Sequence, residues 1–160
     1  DNLLNATWHY NCVNPQDNYE EDVENSVMDT DNGNGLAYRF ELKVPGVQAV
    51  EGNKADFENA TVNYKGKTCK LISIGTVVSN VKNKKMTLED VDGKNIINIP
   101  VEYLCELDSN VCAFAVRIVD IPDVALDSTI YARPYYVIET NGEQLIVYGN
   151  TTTATCTKCF

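Results

Sequence analysis

Few residues in this chain have the types and spacing for covalent or proton-transfer chemistry. There is one histidine, His9, and six cysteines, Cys12, Cys69, Cys105, Cys112, Cys156 and Cys159. A thiol nucleophile needs an imidazole beside it, and no spacing marks any cysteine as the partner of His9. A glycosidase needs two carboxylates held about 5–10 Å apart in a cleft. With 23 Asp and Glu such a pair can be drawn almost anywhere, so the acids alone carry no specificity. We therefore assign no catalytic residue and expect no enzymatic activity. Cys156-Thr157-Lys158-Cys159 together with His9-x-x-Cys12 would supply a Cys₃His zinc set if the termini met. Only spacing supports that set, so disulfides or plain thiols are the preferred reading, and no metal or cofactor is expected. Residues 29–34 open like a calcium loop, but Gly33 falls on a ligand position and Phe40 stands where a bidentate Glu is required. A looser calcium site from Asp17, Glu20, Glu21, Asp22 or Asp29 is outweighed by a solvated acidic loop.

Recognition chemistry is better supplied. Sugar-binding proteins set flat aromatic rings against the apolar faces of pyranoses and bond the hydroxyls with nearby amides and carboxylates. Trp8, Tyr10 and Tyr19 lie in or beside a polar stretch that also holds Asn11 and Asp17, which makes these five the first candidate ligand-binding set. Trp8, the single tryptophan, reads equally well as a stacking platform or as a hydrophobic plug that pins the N-terminal segment to the core. Tyr131, Tyr135 and Tyr136 form a second aromatic cluster. Successive strand residues point to opposite faces, so Tyr135 and Tyr136 cannot share one core face. One of them could join Tyr131 or Tyr148 in an exposed strip, but a cross-strand tyrosine pair that steadies the sheet is the favoured reading. Arg133 is expected to pair with a carboxylate.

Composition narrows the partners. The chain has 160 residues, 13 Lys and Arg, and a formal net charge of −10. Nucleic acid and anionic lipid both call for clustered positive charge, so neither is an expected partner. No apolar run approaches the ~20 residues a membrane-spanning helix needs, so no membrane insertion is expected. The chain opens at Asp1-Asn2-Leu3 with no signal segment, as a mature secreted domain would. Sequons at Asn5, Asn59 and Asn150 are given little weight.

The elements that must position these residues are strand-like. Leu36, Tyr38, Phe40, Leu42 and Val44 alternate with Ala37, Arg39, Glu41 and Lys43, a period of two that ends at Pro45-Gly46. The runs 62–64 and 68–72 flank Lys65-Gly66-Lys67, a hairpin signal, and 74–78 continues as a β-branched run. Further strands are expected at 95–99, just before Pro100, and at 111–119, where the run VCAFAVRIV suits a strand covered on both faces. Residues 130–139 and 144–148 flank Asn141-Gly142, whose tolerance of positive φ suits a type I′ turn. Cys105 and Cys112 flank another turn, and a hairpin there would bring the two thiols within bridging range. Cys69 reads as a buried thiol within a strand. The segment Leu3 to Tyr10 fits a strand or a helical turn equally. The expectation is an all-β chain, an Ig-like β-sandwich of antiparallel strands. It would form a single domain over 1–160, with an irregular polar arm over 1–35, a core over 36–149 and a cysteine-containing tail over 150–160.

Residues 36–149 also resemble extracellular β-rich modules of surface and polysaccharide-degrading proteins from gut clostridia and ruminococci. The likeness rests on Ala37-Tyr38-Arg39-Phe40-Glu41-Leu42, Asn59-Ala60-Thr61-Val62, Tyr64-Lys65-Gly66-Lys67 and Ile97-Asn98-Ile99-Pro100. It is strongest at Ile130-Tyr131-Ala132-Arg133-Pro134-Tyr135-Tyr136-Val137 and the hairpin that follows. The resemblance implies an extracellular or cell-surface location and a part in adhesion to, or breakdown of, plant polysaccharide. It brings no catalytic residues with it. The function expected is a non-catalytic carbohydrate-binding module, with α-glucan (starch) the leading ligand. The alternative is a spacer or protein-binding module with a protein partner on the cell surface. A monomer is expected in either case.

Overall fold

The computed structural model describes residues 2–10, 35–82, 85–119 and 121–156. Period-two alternation sets the central strand of the first sheet. In β2 (Leu36–Lys43) the residues Leu36, Tyr38, Phe40 and Leu42 are buried, while Ala37, Arg39 and Glu41 on the other face are half-buried. Fully burying side chains of this size contributes about 1.5–3 kcal/mol each, enough to fix the register, because a slip of one residue would turn all four outward. On one side of β2 lies β1 (Leu3–Tyr10) and on the other β9 (Val111–Ile118), which in turn pairs with the short β8 (Glu106–Asp108).

The second sheet is built on two long strands, β6 (Lys67–Ser79) and β10 (Ile130–Thr140). It runs β11 (Glu143–Tyr148), β10, β6, β5 (Thr61–Tyr64), with β12 (Thr152–Ala154) added to β10 and β7 (Ile96–Pro100) to β6. A small ribbon of β3 (Gln48–Val50) and β4 (Lys54–Asp56) completes the strands among the described residues. All pairings are antiparallel. The all-β expectation holds, and residues of both sheets fall in one hydrophobic cluster, with Phe40, Phe114 and Val116 from the first and Leu71, Ile74 and Tyr136 from the second.

The turns behave as their residues demand. Asn141 and Gly142 both have positive φ (54° and 78°), which fits the hairpin twist and lets β11 pair with β10 from Thr140↔Glu143 to Tyr135↔Tyr148. Pro134 lies in the middle of β10, where a missing N–H would normally break a ladder. Its carbonyl accepts from Gly149 N–H at 2.8 Å, so its polar edge points away from β6, into the gap between β11 and β12. The return bond that an N–H at this position would make to Gly149 O is replaced by Arg133 Nε–H, which donates to that carbonyl at 2.8 Å.

Three segments go beyond or against the expectations. Leu3–Tyr10 takes the strand of its two open readings and lies at a sheet edge, and Thr152–Ala154 is a strand as well, so parts of the expected arm and tail are built into the sheets. The hairpin at 106–113 forms, but Cys112 lies opposite Leu107 rather than Cys105, and neither cysteine is bridged. Cys112 is buried while Cys105 is exposed. No two cysteines among the described residues lie at disulfide distance. The third departure is on the outer face of the second sheet. Met86, Leu88 and Val91, from the long β6–β7 connection, pack over Val77, Tyr135 and Val137 and form a second cluster there.

Candidate functional site

Trp8 is in the core. Its ring is 7% exposed and tilts against Tyr38, its cross-strand partner, with centroids 5.0 Å apart. Its indole N–H donates to the Thr152 hydroxyl at 2.9 Å. The chain of rings continues through Tyr38–Phe40 and Phe40–Phe114. A buried ring with a satisfied N–H offers no face to a sugar, so Trp8 is the plug that ties β1 to β12. Desolvation pushes the Tyr38 phenol up to about 12. The Thr152 hydroxyl lies near enough to pull the other way, but it does not reach hydrogen-bonding geometry with the Tyr38 hydroxyl. Tyr10 is placed at the end of β1, opposite Leu36. Asn11, Asp17 and Tyr19 lie outside the described residues, as do Cys12, Cys159 and the acidic run 29–34.

The second aromatic cluster is also consumed by packing. Tyr135 and Tyr136 do point to opposite faces, as adjacent strand residues must, yet both are buried. Tyr136 enters the cluster shared by the two sheets, and Tyr135 the cluster under the β6–β7 connection. No exposed strip results. Tyr135 instead pairs across the hairpin with Tyr148, centroids 6.1 Å apart, and its hydroxyl donates to Asn98 Oδ1 at 2.6 Å. Tyr131 is half-buried beside this second cluster. Arg133 pairs with no carboxylate among the described residues. It lies over the Tyr148 ring at 4.5 Å and donates to the carbonyls of Gly149 (2.8 Å) and Lys85 (3.0 Å), pinning the β6–β7 connection to the β11–β12 turn.

Among the described residues the aromatic side chain that stays out is Tyr103, 58% exposed. It lies on the segment that crosses from β7 to β8, and backbone bonds hold that segment on both sides. Val101 N–H donates to Ile74 O (2.8 Å), Ala55 N–H to Glu102 O (2.9 Å) and Leu104 N–H to Asn53 O (2.8 Å). Leu104 is buried next door, so the backbone is anchored while the tyrosine ring is presented. Beneath it runs an open trough of about 600 Å³, bounded by Asn98–Cys105 on one side and by Ala115, Val116, Arg117 and Val119 on the other. Glu102 and Arg117 are exposed at its rim, and neither has an ion-pair partner among the described residues. Asn98 spends its carbonyl oxygen on Tyr135 and keeps its amide N–H groups. The trough thus combines a ring face, a carboxylate acceptor and two donor groups.

The wall of the trough is a sheet edge. Cys105 N–H donates to Ala113 O, so the backbone groups of Ala113 face β8. Those of Ala115 and Arg117, two and four residues further on, face the same way, and β8 ends its pairing at Glu106↔Ala113. Their N–H and C=O groups open into the trough.

Sequence reasoning missed Tyr103 because it lies in an aperiodic connection between strands. The signal that could have found it was its isolation, a large ring in Pro100-Val101-Glu102-Tyr103 with no alternating neighbours. Among the described residues no three His, Cys, Asp or Glu side chains gather as a metal site, and no helix is long and apolar enough to cross a membrane. Compared with known protein families, curated proteins and solved structures, the chain matches none.

Proposed function

We propose that this chain is a non-catalytic polysaccharide-binding module, an Ig-like unit of an extracellular or cell-surface protein. The Tyr103 trough is its binding face, and α-glucan is the first ligand to test. The observation that carries the reading is an exposed tyrosine on an anchored backbone, over an open trough rimmed by Glu102 and Arg117, neither of which has an ion-pair partner among the described residues. A sugar ring would stack on Tyr103, while Glu102 accepts from its hydroxyls and Arg117 and Asn98 donate to them. Because the backbone is already fixed, little ordering entropy is lost on binding. The extracellular setting and the choice of α-glucan rest on the sequence resemblance of 36–149. Native electrophoresis through gels containing amylopectin, glycogen, xylan, glucomannan or β-glucan, with an inert protein as control, tests the reading. Retardation by the α-glucans is expected, and unhindered migration in every gel contradicts it.

The second reading, a protein-binding or adhesion module, is favoured by the open β9 edge at Ala115 and Arg117. An extended partner segment could add there as a strand. In that case Tyr103→Ala leaves polysaccharide gels without effect and weakens a protein complex instead.

A further inference from the structure

The chain holds a second trough, of about 640 Å³, lined in part by the β5–β6 hairpin. Its chemistry differs from that of the Tyr103 trough. Lys43 and Lys65 line it with Asn2, Asn63, Thr61 and Thr68, and no Asp or Glu is among the described residues that line it. That is unexpected in a chain with 23 acids and 13 bases. Neither lysine has an ion-pair partner among the described residues.

The local structure holds these groups in place. Lys65 and Gly66 form the hairpin turn with positive φ (50° and 78°), and the Lys65 ammonium lies 5.3 Å from the centre of the Tyr64 ring. The ring face steadies the cation without neutralising it. Lys43 closes β2, and its N–H donates to Asn2 O at 3.1 Å. The Asn2 side chain in turn donates to Asn63 O, which ties the start of β1 to β5. Two lysines without an ion-pair partner among the described residues therefore line one basin with hydroxyl- and amide-bearing residues.

We infer that this basin is an anion-selective saccharide site, taking a sugar that carries a carboxylate or a sulfate. The ammonium groups would hold the anionic substituent, and Asn63, Thr61 and Thr68 the hydroxyls beside it. The site is separate from the Tyr103 trough and shares no residue with it. Neutral glucan on one side and acidic saccharide on the other would let one module contact two kinds of chain.

The test is native electrophoresis at about 0.01 M salt through gels of polygalacturonate, dextran sulfate or uncharged dextran, read as mobility relative to a polymer-free gel. A chain of net charge −10 is repelled as a whole by a polyanion. Retardation must therefore come from a local site. Retardation by polygalacturonate, dextran sulfate or both is expected, with none by dextran, and the polymer that acts identifies the anion recognised. Lys43→Gln with Lys65→Gln should abolish it, and so should salt near 1 M, where the Debye length falls to about 3 Å. Tyr103→Ala should leave it intact. Each lysine variant is also tested singly, with thermal melting to show that it folds. Free migration through both polyanions, equal retardation by dextran, or retardation that survives in the folded lysine variants would overturn the inference. None of these results bears on amylopectin binding at Tyr103, so the two sites can fail separately.

Discussion

Trp8 and Tyr103 make opposite use of a large aromatic ring. Trp8 lies on a regular strand, and its place in the ladder decides its fate. It is cross-strand to Tyr38, on the face of β1 that meets the core, and its one polar atom is satisfied by Thr152. Tyr103 lies on a crossing segment whose backbone is bonded to Ile74, Asn53 and Ala55, so the ring is free to face water. The lesson is that neither ring size nor polar neighbours separate a plug from a platform. What separates them is whether the side chain or the backbone makes the anchoring contacts.

The comparison can be broken by removing each ring. Trp8→Ala should cost about 3–5 kcal/mol of stability, the usual range for truncating a buried Trp or Phe, read from chemical denaturation. Tyr103→Ala should cost little, because its ring is mostly in water already. Equal losses would show that the two rings have similar packing roles.

The next largest effect is expected from alkali. Burial raises the Tyr38 phenol to about 12 from an ordinary 10, so the folded state resists its ionisation. A group whose folded value is raised stabilises the fold below its unfolded value and loses that stabilisation as pH climbs through the folded one. Between about pH 10 and 12 Tyr38 alone should remove roughly 3 kcal/mol. Cys112, pushed up to about 11 by burial, and Tyr135 and Tyr136, also raised, act in the same direction. Denaturation midpoints measured across that window should fall steeply, and a flat profile would show that the Tyr38 ring is solvated.

A smaller test isolates the polar tip of the plug. Trp8→Phe keeps a ring in the core but deletes the donor to Thr152, a loss of about 1 kcal/mol. At the thiols, Cys105 should label quickly with a maleimide in the native state, while Cys69 and Cys112, both buried, should label only on unfolding. Rapid labelling of Cys112 would mean that the first sheet opens at its β8 edge.

Much of the fold could be read from the chain because its strands follow simple rules. Alternation from Leu36 to Leu42 and the Asn141-Gly142 turn each have one physical solution, and the structure adopts it. β1 was ambiguous because it is an edge strand. Among residues 3–9 only Trp8 is buried, so the sequence shows no period. The fate of Tyr135 was hidden for another reason. Its face is covered by Met86, Leu88 and Val91, from a connection whose docking no local pattern announces. Arg133 was misread on the same account, since the carbonyls it binds belong to that connection and to the β11–β12 turn. The site was the least legible part. Tyr103, Glu102, Asn98 and Arg117 come from three segments and meet only when β7 and β9 are brought to face one another across the trough.

The most direct test of the central claim sets Tyr103→Ala beside Trp8→Phe in amylopectin affinity gels, each checked for folding by its thermal melt. The account predicts that Tyr103→Ala migrates as freely as in a gel without polymer, while Trp8→Phe is retarded as strongly as the unmodified chain. Retained retardation in Tyr103→Ala, with loss in a folded Trp8→Phe, would move the platform back to Trp8 and contradict the assignment of the trough.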